Sequence, residues 1–146
     1  MRKINKRSDC RISFALDIFG DKWTLLILRD LMLRGKSYYG DFLESEENIA
    51  TNILSDRLQV LEHTGIVQKS RDPQNKTKYK YRLTRKGLDL LPILVEIMLW
   101  SSKYAPKINA KQYPLKKQLE VLLHKDKSKF MKDIIQDVEK NQLEVV

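Results

Sequence analysis

The chain has 146 residues, which suits one domain and allows it to bury a substantial core. Its 42% of hydrophobic residues is ordinary for a globular protein, and the longest apolar run, residues 23–28, is far too short to cross a bilayer. The formal net charge of +9 favours a polyanionic partner, either nucleic acid or an acidic membrane surface.

Residue types that carry chemistry are sparse. One cysteine cannot form an internal disulfide, which fits a reducing cytoplasm, and Cys10, His63 and His124 lack the spacing of a zinc site. The sequence contains no Gly-rich phosphate loop and no recognisable nucleophile motif. Residues 1–11 are charged, and no apolar h-region that ends in a small-residue cleavage site follows them. We therefore expect a cytoplasmic protein with no export signal, no cofactor, no metal and no catalytic activity.

The first part of the chain is predicted to be helical. Residues 1–9 form a basic arm, and Ser8 is suited to N-cap a first helix that ends at Phe19. A second helix, at about 22–33, is apolar on most of its circumference and should lie at the centre of the fold. A short extended piece and a short helix, at about 40–44, follow it.

Another helix is predicted at residues 50–64. Leu54, Leu58 and Leu61 recur at i, i+4 and i+7, which makes one stripe that faces the core. The helix has little net charge, and its short or amide side chains lie together on a different side. These polar side chains are Thr51, Asn52, Ser55 and Gln59.

Two strand-like runs, 66–71 and 79–84, are separated by turn-forming residues and predict a β-hairpin. Basic residues in the hairpin and just after it surround a single acid, Asp72. Alternation along the second strand predicts that Lys76, Lys78 and Lys80 share one face, opposite the tyrosines of that strand. The basic residues are Lys69, Arg71, Lys76, Lys78, Lys80, Arg82, Arg85 and Lys86.

A long helix is predicted from the N-cap Thr84 to Ala105, where Pro106 ends it, and Pro92 predicts a kink or a shifted boundary. The helix has two apolar tracks, of which one is sufficient for packing on its own domain. The second implies a partner surface, most simply the same helix of another subunit. The expected dimer interface comprises Phe14, Ile93, Ile97, Trp100 and Tyr104.

The remaining residues, 107–146, are Lys-rich, with two amphipathic stretches, Leu115–His124 and Lys127–Lys140. The order of the predicted elements is that of a winged helix-turn-helix. We therefore expect a mainly α (α+β) fold with a two-stranded β wing and a long C-terminal dimerisation helix. Its predicted divisions are a basic arm at 1–9, a DNA-binding and dimerisation domain at 10–106, and a helical extension at 107–146.

This fold accounts for the uneven charge. Short and amide side chains on helix 50–64 can read base edges in a major groove, while the wing brings cations to the flanking phosphates. The alternatives are a merely solvated helix face and a charged hairpin that only increases solubility. The predicted DNA contacts are Thr51, Asn52, Ser55, Arg57, Gln59, Lys69, Arg71, Lys76, Lys78 and Lys80.

The sequence resembles the HxlR family of winged-helix transcriptional regulators, relatives of the MarR group, in four segments that run in family order and spacing. The resemblance implies a bacterial or archaeal homodimer that binds an inverted-repeat operator, often as a repressor. The sequence departs from the family pattern in two ways: it lacks the paired prolines usual in the wing, and it continues past the long helix. The segments are "LDIFGDKWTLLILRDL" (16–31), "YYGDFL" (38–43), "LSDRLQVLEHTGIVQK" (54–69) and "YRLTRKGLDLLPIL" (81–94).

Cys10 is a candidate redox sensor. Many members of the family carry a cysteine at or just before the first helix, and some of them sense oxidants or electrophiles. A helix N-terminus, with Arg7 and Arg11 nearby, favours the reactive thiolate. The alternative is a small buried side chain with no such role.

Two other classes of function compete with DNA binding. One is a protein-interaction adaptor that uses the winged-helix fold without DNA. The other is a peripheral membrane protein, which would need its charges on an amphipathic helix rather than on a ribbon and an arm. The expected partners are therefore operator DNA, a second copy of the chain, and a small-molecule or oxidant effector, but no membrane.

Overall fold

The computed structural model describes residues 1–105 and 117–143. The predicted helix stop at Pro106 and the predicted helix start at Leu115 lie outside the described residues. In chain order the elements are α1 (Arg11–Phe19), α2 (Lys22–Leu33), α3 (Tyr39–Leu43), α4 (Thr51–His63), β1 (Val67–Arg71), β2 (Tyr79–Leu83), α5 (Arg85–Leu88), α6 (Leu91–Tyr104), α7 (Lys117–Lys125) and α8 (Lys127–Leu143).

The two central helices, α2 and α4, pack against each other as their apolar patterns predict. Leu28 of α2 is fully buried, and Leu54, Leu58 and Leu61 of α4 are each at most 1% exposed. The stripe at i, i+4 and i+7 is thus confirmed as the core face of α4. Its opposite face is left for solvent or a partner.

The starts of the first two helices differ in their capping. Asp21 caps α2, because its carboxylate accepts a hydrogen bond from the Thr24 amide at 3.1 Å. The N-cap of α1 is Cys10 rather than the predicted Ser8. The Ser8 hydroxyl instead accepts a hydrogen bond from the Cys10 amide, which lies before the helix.

The predicted hairpin is confirmed. Strands β1 and β2 pair antiparallel, with Val67 opposite Leu83 and Arg71 opposite Tyr79. The extended piece before α3 adds a short antiparallel bridge, in which Tyr38 pairs with Lys80. Strand β2 therefore lies between β1 and this bridge, and it is the better buried of the two strands.

The long helix predicted from Thr84 is interrupted. Thr84 does cap a helix, since its hydroxyl accepts a hydrogen bond from the Gly87 amide, but α5 ends at Leu88 and α6 begins at Leu91. Pro92 explains the break, because it has no N–H to donate and its ring collides with the carbonyl four residues earlier. Proline is tolerated in the first turn of α6, because an N–H group there would have no acceptor within the helix.

The C-terminal helices complete the core. Helix α8 packs on α2 and α6, and α7 packs on α6. Leu123, Phe130, Ile134 and Val138 are buried within the same hydrophobic cluster as the central helices. These four side chains explain the amphipathic pattern of the two stretches.

Candidate nucleic-acid interface

Helix α4 presents an uncharged polar surface to solvent. Its first turn begins at Thr51, and Thr51, Asn52, Ser55 and Gln59 are all exposed, on the side away from the leucine stripe. This surface, called here the polar face of α4, is the group of side chains that the sequence predicts to read base edges. Its hydroxyl and amide groups supply both donors and acceptors.

Tyr39 supports this face from the side, which the sequence did not reveal. The Tyr39 hydroxyl donates to the Thr51 carbonyl at 3.1 Å and lies 3.0 Å from the Ser55 hydroxyl. Helix α3 is therefore tied to the first turns of α4 by one phenol. Only the tertiary packing identifies this contact, because nothing in the local pattern distinguishes Tyr39 from a core aromatic residue.

Arg57 points away from the polar face. Its Nε donates to Asp21 at 2.8 Å and its Nη1 to Asp56 at 2.6 Å, and its side chain is 20% exposed. Burial opposes the charged guanidinium, but the hydrogen bonds to Asp21 and Asp56 outweigh it and raise the pKa of Arg57. The same Asp56 accepts a hydrogen bond from the Arg2 amide, so part of the basic arm is fixed beside α4.

The wing carries four exposed cations. Lys69 and Arg71 lie on β1 and flank the Tyr79 ring, with the Lys69 ammonium 4.2 Å from the ring centroid. Lys76 and Lys78 lie in the turn between the strands, and all four side chains are exposed. Cations on an exposed ribbon suit phosphate contacts.

The turn of the wing is held by its own hydrogen bonds. The Arg71 guanidinium donates to the Lys76 carbonyl at 2.9 Å, and the Asp72 carboxylate accepts from the Gln74 amide at 2.8 Å. The Tyr38 hydroxyl, from before α3, also donates to Asp72 at 2.9 Å. The hydrogen bonds from the Gln74 amide and from the Tyr38 hydroxyl keep the pKa of Asp72 below its ordinary value.

Lys80 differs from the exposed lysines. Strand β2 begins only at Tyr79, so Lys76 and Lys78 lie in the turn and the expected face of three lysines does not form. Tyr79 and Tyr81 share one side of β2 as expected, but Lys80 on the other side is only 8% exposed rather than open to solvent. Burial, followed by repulsion from Arg82, lowers the pKa of Lys80.

A groove of about 640 Å³ separates α4 from the wing. Ser55 and Gln59 line it on the helix side, and Lys69 and Lys78 on the wing side. The polar face of α4 and the basic wing therefore border one concave surface. Among the described residues, neither Arg57 nor Lys80 lines this groove. Arg57 is paired with acids, and Lys80 is buried.

A second surface is apolar. Ile93, Ile97, Trp100 and Tyr104 of α6 are exposed, with Trp100 at 66% and Tyr104 at 62%, and their two rings lie 5.3 Å apart. Phe14 of α1 is also exposed. Aromatic and branched side chains exposed along one helix are typical of a surface that a partner covers.

The single thiol is accessible. Cys10 is free and exposed at the N-cap of α1. Arg7, one of the two cations predicted beside it, donates instead to Asp17 at 2.6 Å. The alternative of a buried cysteine is therefore wrong.

The short helix α3, the helix α4 that follows it and the β1–β2 ribbon define a winged helix-turn-helix protein. The HxlR-like helix-turn-helix family model matches residues 18–109, and the chain belongs to this family. Among the described residues, no helix combines the length and the hydropathy needed to span a membrane.

Relatives and solved structures agree with this assignment. The uncharacterized HTH-type transcriptional regulator YvaP of Bacillus subtilis (strain 168) is 33% identical over 102 residues, covering 69% of this chain and 94% of YvaP. A MarR-family structure from Porphyromonas gingivalis W83 is 30% identical, with a TM-score of 0.59, over 70% of this chain and 99% of that one. The redox regulator HypR, in its oxidized form, is 31% identical, with a TM-score of 0.57, over 67% of this chain and 100% of HypR.

Proposed function

We propose that the protein is a cytoplasmic, homodimeric repressor that binds double-stranded DNA in a sequence-specific manner. In this proposal the polar face of α4 enters the major groove, and the wing lies along the flanking phosphates. One observation carries the proposal: two residues of the uncharged face, Ser55 and Gln59, and two exposed cations of the wing, Lys69 and Lys78, border the same groove. The first suits base edges and the second suits phosphates.

The proposal assigns the residues at this surface different roles. Thr51, Asn52, Ser55 and Gln59 are the groups proposed to contact bases, and Lys69, Arg71, Lys76 and Lys78 are those proposed to contact phosphates. Arg57 and Lys80, although predicted as contacts, are given positioning roles instead. Arg57 connects α4 to the N-terminus of α2, and Lys80 supports the wing beneath Tyr38, whose ring centroid is 5.8 Å from its ammonium.

Dimerisation is proposed through the apolar side chains of α6. A two-fold axis there would present two copies of α4 to successive major grooves. The matching operator is an inverted repeat whose half-site centres lie about one helical turn, roughly 34 Å, apart. Repression follows if such a site overlaps a promoter, because the bound dimer occupies the DNA that polymerase requires.

Control by thiol chemistry is proposed at Cys10. Its exposure and its place at the N-cap of α1 support the idea, as does the likeness to HypR, a redox regulator. Oxidation would give a sulfenic acid, a mixed disulfide with a small thiol, or a bridge to the same residue of the second subunit.

The experiment that tests DNA binding is selection of duplexes from a random pool, followed by binding measurements at several salt concentrations. We expect enrichment of one inverted repeat and a strongly negative slope of log affinity against log salt concentration. An adaptor that uses the fold without DNA would enrich nothing, even at low ionic strength. That result would remove the proposal.

Two variants test the division of roles. Asn52→Ala should relax the sequence preference while random duplexes are bound as before, because a base contact is lost. Lys78→Ala should weaken all duplexes alike and make the salt slope shallower by about one, because one phosphate contact is lost. Equal losses on selected and random DNA for both variants would contradict this division.

A further inference from the structure

A second cavity lies on the other side of β2, away from the groove beside α4. It encloses about 440 Å³ between the end of α2, strand β2 and the C-terminal helices. Its size falls within the range of small-molecule sites. Leu119 of α7 and Ile134 and Val138 of α8 form one wall, and these residues lie beyond the family match at 18–109. One wall of the cavity is therefore supplied by residues outside the family match.

Two cations of β2, Lys80 and Arg82, line this cavity, and within the described residues neither is paired with an acid. Lys80 is 8% exposed, and among the described residues its ammonium forms no hydrogen bond or ion pair, although the centroid of the Tyr38 ring lies 5.8 Å away. The Nε of Arg82 is buried and, within the described part of the chain, has no hydrogen-bond partner. Both residues line the cavity, two positions apart on one strand. Cations that line a cavity without an acid beside them can form charge-assisted hydrogen bonds to an anionic ligand.

The other charged residues around the cavity leave these two cations uncompensated. Lys36 donates to the Ser45 hydroxyl at 2.7 Å, so its ammonium is occupied elsewhere. The Asp41 carboxylate accepts from the Ser37 and Tyr38 amides, which caps α3. Asp137 is the remaining acid of the lining, and it forms no ion pair with Lys80 or Arg82 within the described residues. Within the described residues, neither Lys80 nor Arg82 is thus engaged in an ion pair with an acid of the lining.

We propose that this cavity binds a small organic carboxylate with an apolar body. Arg82 and Lys80 would hold the carboxylate, since a guanidinium and an ammonium form the strongest hydrogen bonds to such a group. The apolar body would lie against Leu119, Ile134 and Val138. A ligand of this kind supplies both what the cations lack and what the aliphatic wall can bury.

The cavity is connected to the wing through Tyr38. Tyr38 lines the cavity, its ring lies near the Lys80 ammonium, and its hydroxyl donates to Asp72 at the base of the wing. A ligand that moves the Lys80 ammonium would therefore shift Tyr38 and, through its hydrogen bond to Asp72, the turn of the wing. This consequence rests on the proposed function, whereas the binding of the ligand does not.

Calorimetric titration of the full-length protein tests the site directly, with 4-phenylbutanoate and the neutral 4-phenylbutanamide as probes of equal size. We expect saturable binding of the carboxylate, with the amide at least about tenfold weaker because it lacks the charge. No variant is needed for this comparison. Absence of saturable binding, or equal affinity for both probes, would overturn the proposal.

Three variants locate the binding. Arg82→Gln and Lys80→Met should each weaken binding of the carboxylate about tenfold, while Arg85→Gln, an exposed arginine on α5, should change it less than about twofold. The thermal midpoint of each variant is measured beside its affinity, so that a loss of binding without a fall in the midpoint is assigned to the site rather than to unfolding. Equal affinities in Arg82→Gln and Arg85→Gln would mean that the probe binds elsewhere.

A DNA-binding assay on the selected operator separates this inference from the proposed function. If the protein binds the carboxylate but no duplex, the ligand site is supported and the proposed DNA-binding function is refuted. If it binds its operator but neither probe, the proposed function is supported and the ligand site is refuted.

Discussion

Arg57 of α4 and Asp21, the N-cap of α2, are joined by a 2.8 Å hydrogen bond between charged groups. Asp21 also accepts hydrogen bonds from the Thr24 amide and hydroxyl, at 3.1 and 2.6 Å. One carboxylate therefore begins α2 and anchors α4. The orientation of the polar face of α4 relative to the rest of the domain depends partly on this contact.

Arg57→Gln should destabilise the protein by about 1–3 kcal/mol, because it removes the charged hydrogen bonds of Arg57 to two partly buried acids, Asp21 and Asp56, and leaves them the weaker contacts of the N-terminal arm. Urea unfolding measures the loss. Arg85→Gln is the matched control, since Arg85 is 70% exposed and its ion pair with Asp89 is open to solvent. A loss in Arg57→Gln no larger than in this control would show that the contact contributes little.

The same pair predicts a dependence on pH. Burial raises the pKa of Asp21, but the hydrogen bonds from Thr24 and Arg57 lower it by more than burial raises it. The pKa of Asp21 therefore lies below the ordinary 3.8. A carboxylate with a lowered pKa stabilises the folded state above its unfolded pKa, and this contribution is lost as the pH falls through the folded pKa. The difference in the free energy of unfolding between wild type and Arg57→Gln should be largest at neutral pH and should become smaller below about pH 4.

Ile97→Asp should convert the proposed dimer to a monomer, because it places a carboxylate within the apolar side chains of α6. Sedimentation or light scattering over a concentration series measures the change. Ser102→Asp is the control, since Ser102 is exposed on a different side of the same helix. If wild type is already monomeric, or if both variants remain dimeric, α6 is not the interface.

Cys10→Ser should leave DNA binding intact and abolish any loss of binding on treatment with diamide. The side chain is exposed and makes no packing contribution that serine would remove, so the variant isolates the thiol. Binding to the selected operator, before and after treatment and again after reduction, is the measurement. A wild-type protein that ignores diamide would refute the sensing role.

Phe130→Ala should destabilise the protein by about 3–5 kcal/mol, as expected for a large side chain removed from a core. Phe130 of α8 is 0% exposed and belongs to the same cluster as α2 and α4. The exposed neighbour Lys129→Ala should change the free energy of unfolding by less than about 0.5 kcal/mol. A small effect of Phe130→Ala would mean that α8 is only loosely attached to the domain.

The candidate site was partly visible in the sequence. The polar side chains of α4 and the four exposed cations of the wing were found by periodicity and charge, because both patterns are local. The contact between Tyr39 and Ser55 spans 16 residues and left no local pattern. Lys80 was misjudged for a related reason: alternation identifies two faces of a strand, but not which of them another element covers.

For this protein, local pattern alone determined the helices, the hairpin, the core stripe of α4 and the excess of positive charge. Periodicity and turn chemistry depend on neighbours within a few residues, so they can be read along the chain. Tertiary structure alone decided that Arg57 serves Asp21, 36 residues away, and that α8 joins the core. It also decided that Lys80 and Arg82 line a cavity together with residues of the C-terminal helices. The physical reason is that the cost of a buried charge or an exposed apolar face depends on what lies opposite, and distant segments supply that.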